Sequence, residues 1–457
     1  MENESLSQRA DGKPLFTNRQ LVALMWPLLL EQLLAITVGL ADSMMVATVG
    51  DAAISAVSLV DSISTLMIYI FTAMATGGAA VAGQYIGLKQ KDDACRAGQQ
   101  LIALLGVVSV TLVALLYLFR TQILTLVFGH IEPDVMAATN TYYLYVMASI
   151  PGIALYNGGA ALFRTMGRSD VSLKVSLLMN SINVAGNAIL IFGFKMDVAG
   201  VAIPTLISRT VAAAVILGML KNRELLLHLA DVRSFRVDMR LMRNIFYIGV
   251  PSGVENGMFQ LGKLALFSLV STFGTASIVA NAIGNTIGNF NCFAGQAINL
   301  GLAAVVSQCV GAGEYDQARM YLKKIMKATY ALMTGVNLVI FALLPLIMRA
   351  YNVTAEAKEL AVAVLLIHGG AAALIWTPAF MFTAFLRAVG DARFTMLASM
   401  LSMWLVRVLM AYVLGKLLGY GVIGVWVAHA ILDWLARIAI FYPRYRSGKW
   451  ETMGIRN

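Results

Sequence analysis

Residues 26–56 read WPLLLEQLLAITVGLADSMMVATVGDAAISA. The first part of this stretch belongs to an apolar run of roughly residues 20–46, long enough to cross a bilayer as a helix, since about 20 residues rising ~1.5 Å each cover the hydrocarbon. The run nevertheless carries two carboxylates, Glu31 and Asp42. A charge at bilayer depth costs at least ~2.5 kcal/mol on insertion scales, so each acid is a functional-site candidate by default. Val49-Gly50-Asp51 then supplies a turn, and the apolar pattern resumes at Ala53.

The rest of the chain repeats this texture. Its 457 residues are 59% hydrophobic and only 13% charged, with a mean hydropathy of +0.76, too apolar for a water-soluble globule. Apolar windows predict twelve spans, at about 20–46, 53–83, 97–119, 138–163, 170–193, 198–220, 241–271, 278–310, 322–349, 358–386, 394–416 and 421–442. The expected fold is therefore an all-α polytopic membrane protein. The first 19 residues are polar and mixed in charge, without the order of a secretory signal peptide, so the first span is expected to act as the targeting signal. With residues near a span's end assigned to the adjoining connection, 25 of the 34 Lys and Arg fall on the side of the termini, five on the other side and four deep within spans. By the positive-inside rule both termini are cytoplasmic. The net charge of +10 thus reflects topology and calls for no nucleic-acid partner. Cys95, Cys292 and Cys309 are scattered, which implies neither a disulfide framework nor a metal site.

A shift of 224 residues places Pro27 on Pro251, Glu31 on Glu255, Gly50 on Gly274, Gly77 on Gly301, Gln84 on Gln308 and Gly87 on Gly311. Two six-helix halves follow, and because six is even they are related by an axis along the membrane normal. The expected organisation is a tail at 1–19, an N-terminal lobe at 20–220, a basic linker at 221–240, a C-terminal lobe at 241–442 and a tail at 443–457. The basic run of Lys221, Arg223, Arg233, Arg236, Arg240 and Arg243 at this amphipathic linker suits either an anionic leaflet surface or a solvated loop.

Phosphate-loop, HExxH, GxSxG and CxxC motifs are all missing from the sequence, which argues against ATP hydrolysis and against an enzyme. What remains is a set of ionisable and amide side chains at membrane depth. Asn180, Asn183 and Asn187 share one face of the fifth span, and with Asp42 they make an oxygen-rich pocket. Such a pocket can take a proton or hold a monovalent cation; equally, the amides can simply bridge helices. Glu31 and Glu255 each follow a proline by four residues, which points to a shared structural or gating role. Arg407 and Asp433 can pair across the last two spans as a structural bridge, and Lys263 can be a counter-ion to Glu255 or snorkel outward. His368 and His429 read as hydrogen-bonded interior residues.

At these residues the chain resembles the multidrug and toxic compound extrusion (MATE) family. The likeness rests on Trp26-Pro27, Leu40-Ala41-Asp42-Ser43, Phe163-Arg164-Thr165-Met166-Gly167, Gly249-Val250-Pro251-Ser252-Gly253-Val254-Glu255 and Leu386-Arg387-Ala388-Val389-Gly390-Asp391, in that order. The resemblance implies a V of two lobes, rocker-switch alternating access, and export of organic, often cationic, amphipathic compounds against entering protons or sodium. It places the coupling cation on Asp42, with Asn183, Asn187 and Thr205 as partners. Some members carry an aspartate at the position of Asn187, so this site has one carboxylate fewer. Where other members have acids in helices seven and ten, this chain has Gln260 and Trp376, which implies coupling through the N-terminal lobe. Glu31, Glu255, Asn180 and Gln260 are further candidates for a gate or substrate path.

The expected protein is thus a drug antiporter of the bacterial cytoplasmic membrane, without cofactor and with no metal beyond a possible sodium at Asp42. Its expected partners are drug-like molecules and lipids, and it is expected to act as a monomer. The competing readings are a flippase for lipid-linked precursors, which calls for a more cationic central cleft, and a non-transporting membrane receptor or assembly protein.

Overall fold

The computed structural model describes residues 14–128, 132–229, 236–351 and 353–453. Among them twelve helices are long enough to span a bilayer. In the first half these are α1 (Asn18–Ala47), α2 (Asp51–Gly87), α3 (Lys91–Leu118), α4 (Pro133–Thr165), α5 (Ser169–Gly193) and α6 (Ala199–Met219). The second half holds α7 (Met239–Ser271), α8 (Thr275–Gly311), α9 (Tyr315–Ala350), α10 (Ala355–Ala388), α11 (Ala392–Leu417) and α12 (Gly421–Arg446). Eleven are apolar enough to cross a membrane by composition. The exception, α7, carries Glu255, Asn256, Gln260 and Lys263, all of which face an interior cavity.

Helix ends depart from the hydropathy windows where first turns are charged. α3 starts at Lys91 with Asp92 and Asp93 in its first turn, and α9 starts at Tyr315 with Asp316. Acids suit a helix N-terminus and at the same time lower the hydropathy that marks a span. A short helix, Arg120–Phe128, lies in the α3–α4 connection. Thr17 starts α1 with a capping box: the Gln20 amide N–H donates to its hydroxyl, while its own N–H donates to the Gln20 side chain. Gly50 and Gly274, at φ 138° and 90°, make the equivalent turns between the first two helices of each half.

The two lobes interlock by exchanging the first turns of their leading helices. Leu21 and Leu24 of α1 are buried in the core of the second lobe with Tyr321, Phe385 and Leu386. Leu241, Ile245 and Ile248 of α7 are buried in the first lobe's core with Leu101. Hydropathy cannot reveal this exchange, because a leucine is equally satisfied by either core.

At the same end α2 and α8 cross. A Cβ at Gly87 would strike the Gln308 carbonyl, and one at Gly311 would strike the Gln84 carbonyl. The side chains of those glutamines reach across the lobes in the same reciprocal way. Gln84 Nε2 donates to the Ala388 carbonyl at 3.1 Å, and Gln308 Nε2 donates to the Thr165 carbonyl. Gly311→Ala is expected to destabilise by about 1–3 kcal/mol, because backbone would have to move. Thermal unfolding in detergent checks this against Gly335→Ala, which meets nothing within 4 Å and is expected to unfold no earlier than the parent.

Of the described linker residues, 221–229 and 236–238 form turns or irregular backbone while Met239 and Arg240 open α7, and Leu227 is buried against α3. Arg233, residues 1–13 and residues 454–457 of the expected linker and tails lie outside the described residues.

Candidate functional site

The first lobe assembles its polar centre from three helices. Asp42 projects from α1; Asn183 and Asn187, one turn apart, project from one face of α5; and Thr205 projects from α6. Asn187 Nδ2 donates to Asp42 Oδ1 at 3.0 Å. With its amide nitrogen turned to the carboxylate, Asn183 donates to Asp42 Oδ1 and Oδ2 at 3.2 and 3.0 Å, while its oxygen lies 3.1 Å from Thr205 Oγ1. Asn187 is fully buried, and its Oδ1 has no donor among the described residues. A lone pair that water cannot reach is thereby left on the amide that holds the acid. The charged groups within electrostatic reach of Asp42 are Asp61 and Arg209. Tyr142 donates to Asp61 at 3.2 Å, and Arg209 Nη1 donates to Ser149 Oγ at 2.8 Å.

This arrangement offers a carboxylate, an orphaned amide oxygen and a hydroxyl in one cluster. Chemically it can accept a proton or bind a small monovalent cation through oxygens. Asn180 does not join it: its amide donates instead to Ser176 Oγ at 3.3 Å.

Glu31 and Glu255 occupy equivalent helix positions but have different partners. Tyr156 and Ser172 donate to Glu31 at 3.1 and 2.8 Å. Glu255 forms an ion pair with Arg387 of α10 at 2.8 Å. Lys263 is therefore not its counter-ion; the Lys263 ammonium sits 5.4 Å from the centre of the Phe259 ring. The expected Arg407–Asp433 pair is also corrected. Asp433 meets Arg437 at 3.5 Å and accepts from Ser402. Asp433 and Arg437 lie one turn apart on α12 and so share a face, whereas Arg407 reaches inward from α11 to stack 5.1 Å from Phe259.

In the second lobe a cavity of about 340 Å³ runs from α2 into the space among α7, α8, α10 and α12. That volume lies within the range of small-molecule pockets. Gln260, Glu255 and Trp376 line it, and Trp376 stacks on Phe380 at 4.8 Å. His368 and His429 also line it; Asn291 Nδ2 lies 3.1 Å from the Nδ1 of His368, which is buried as expected, whereas His429 is half-buried with ring contacts to His368, Trp426 and Trp434.

Sequence reasoning did not single out Tyr142, Tyr156, Ser172, Arg387 or Ser402 as partners of the acids. Arg387 was within reach, since it matches Arg164 in the repeated Phe163–Gly167 and Leu386–Gly390 motifs. The hydroxyl residues carry no such signal, because Ser and Tyr are ordinary components of membrane helices.

A two-lobed helical bundle with polar groups held between apolar helices in each lobe suits a membrane transporter. The MatE family model matches residues 27–189 and again 251–413, once per lobe, and the chain belongs to the MATE transporter family. It is therefore a transporter and not an enzyme. Among its relatives is the uncharacterized transporter YisQ of Bacillus subtilis, 26% identical with all of both chains covered. Another is the probable multidrug resistance protein NorM of Thermotoga maritima, 21% identical over 96% of this chain and 94% of that one. The crystal structure of the Vibrio cholerae MATE transporter VcmN superposes with a TM-score of 0.87 at 20% identity, covering 95% of this chain and 98% of that one.

Proposed function

We propose that this chain is a secondary antiporter that exports amphipathic organic compounds in exchange for a proton or sodium ion bound at Asp42. The observation that carries this reading is the cluster of Asp42, Asn183 and Asn187 in the first lobe. The repeat position of Asp42 is Leu266, so the charge belongs to one lobe alone. Cation binding there would favour one arrangement of the lobes and cargo the other, so that each drives release of its opposite. With both termini cytoplasmic and the lobes dividing at residues 221–240, the end closed by the Gln84 and Gln308 contacts faces the cytoplasm. The name of the Thermotoga relative supports a drug-like cargo.

The test is transport in sealed vesicles loaded with a fluorescent amphiphile, with a sodium gradient and a proton gradient imposed separately. Efflux is expected under one gradient and abolished by collapsing it. No gradient-driven flux of any amphiphile would favour a non-transporting role.

A further inference from the structure

The two lobes differ in the sign of their interior charge. Around Asp42 the first lobe holds Asp61 and a single cation, Arg209. In the second lobe three cations converge on one ring: Lys263, Arg407 and Arg437 lie 5.4, 5.1 and 5.8 Å from the centre of Phe259. The acid in contact with this group is Asp433, which pairs with Arg437. Arg387 is already neutralised by Glu255. The ring faces offset part of the repulsion through cation–π attraction, worth ~0.5–2 kcal/mol each. They do not supply the missing negative charge.

Donors without acceptors point the same way. Trp434, only 2% exposed, lines the cavity, and its Nε1 has no acceptor among the described residues. Arg437, also 2% exposed and lining the cavity, donates from Nη1 to Ser399 Oγ at 3.3 Å, and its Nε has only the 3.5 Å ion pair with Asp433, without hydrogen-bond geometry. Lys263 lines it too and, unlike those two, is exposed, with neither ion pair nor hydrogen bond among the described residues. Such groups are costly at membrane depth unless something with oxygens and negative charge meets them. The remaining wall mixes amides such as Asn256, Gln260 and Asn289 with an aromatic side, where Trp376 stacks on Phe380 and Phe380 is edge-on to Trp434. π-helical turns at Ala372–Trp376, Ser402–Val408 and Ala428–Asp433 bring Trp376, Arg407 and Asp433 to this region, a local irregularity frequent at functional sites.

We infer that this cavity binds the anionic head of an aromatic amphiphile, a carboxylate or phosphate, through Lys263, Arg437 and Trp434. The assignment rests on the transporter reading above and narrows its cargo: the second lobe takes anions while the first takes the cation.

The experiment uses two ligands of one shape and opposite charge, 1-naphthoate and 1-naphthylmethylammonium, titrated against the purified protein in neutral nanodiscs. Binding is read from tryptophan fluorescence. The naphthoate is expected to bind at least tenfold more tightly than the ammonium. Lys263→Met should erase most of that preference, and Lys263→Glu should reverse it. Neither change removes a protein hydrogen bond, so folding is expected to be kept, which thermal unfolding checks. Equal binding of the two ligands, or a preference untouched by Lys263→Glu, overturns the assignment.

Nanodiscs with phosphatidylglycerol separate the two sources of such an anion. Competition with naphthoate that vanishes in Lys263→Met assigns the site to a lipid head group. No competition assigns it to a soluble anion. Because binding is measured without a gradient, it is independent of transport. Naphthoate bound but not moved under either gradient would refute antiport alone, and efflux restricted to the cationic ligand would refute the anion site alone.

Discussion

Asp42→Asn is expected to abolish gradient-driven efflux and to leave the protein folded. The substitution keeps shape and removes one charge from the centre of the first lobe's cluster. A cation about 4 Å from a unit negative charge gains ~4 kcal/mol at an effective dielectric constant of 20, roughly a thousandfold in affinity. A proton site is lost outright, because an amide does not take up a proton near neutral pH. Stability is expected to change by no more than about 1 kcal/mol. The bonds from Asn183 and Asn187 weaken when their acceptor loses its charge, but the cost of keeping a carboxylate out of water disappears with it. Vesicle efflux and thermal unfolding are measured on the same preparation. Retained gradient-driven efflux would remove Asp42 from the coupling role.

Much of this site is legible in the sequence because its residues obey helical spacing. Asn183 and Asn187 fall four apart, Asp42 stands in a segment where a charge has no structural licence, and the repeat shows Leu266 in its place. The fold is legible for a related reason, since spans of about 20 residues and a repeat that runs without a gap from Pro27 to Gly87 are properties of the linear chain. What the sequence withholds are relations between helices. It does not show that Leu21 packs in the second lobe's core, nor that Glu255 chooses Arg387 over Lys263. It likewise hides that Asp433 meets Arg437 on its own helix rather than Arg407 on the next. The i,i+4 relation of Asp433 to Arg437 was available in the spacing, but Arg407 met the same formal criterion of opposite charge at similar depth. Distances decide such choices. The positive charge gathered beside the second lobe's cavity is hidden in the same way, because Lys263 and Arg437, which line it, and Arg407 behind them are far apart in the chain and meet only around Phe259.

Asp433→Asn has the opposite profile to Asp42→Asn, with its main effect on stability. Asp433 is fully buried, accepts from Ser402 and lies 3.5 Å from Arg437, itself 2% exposed. Arg407, 4% exposed, stands beside the same ring with Nε and Nη1 lacking acceptors among the described residues. Removing this acid leaves two guanidinium groups in the interior, and breaking a buried pair from one side costs about 3–5 kcal/mol. The expected result is a large fall in the unfolding midpoint and in the yield of monodisperse protein. A cycle with Arg407→Met distinguishes charge imbalance from loss of the Ser402 hydrogen bond. If imbalance dominates, Asp433→Asn combined with Arg407→Met recovers more than half of the lost stability, because the cluster returns to its former net charge. If the hydrogen bond dominates, the two changes add. Full stability of Asp433→Asn alone would show that the arginines are compensated elsewhere, and the excess positive charge assigned to the second lobe would have to be abandoned with it.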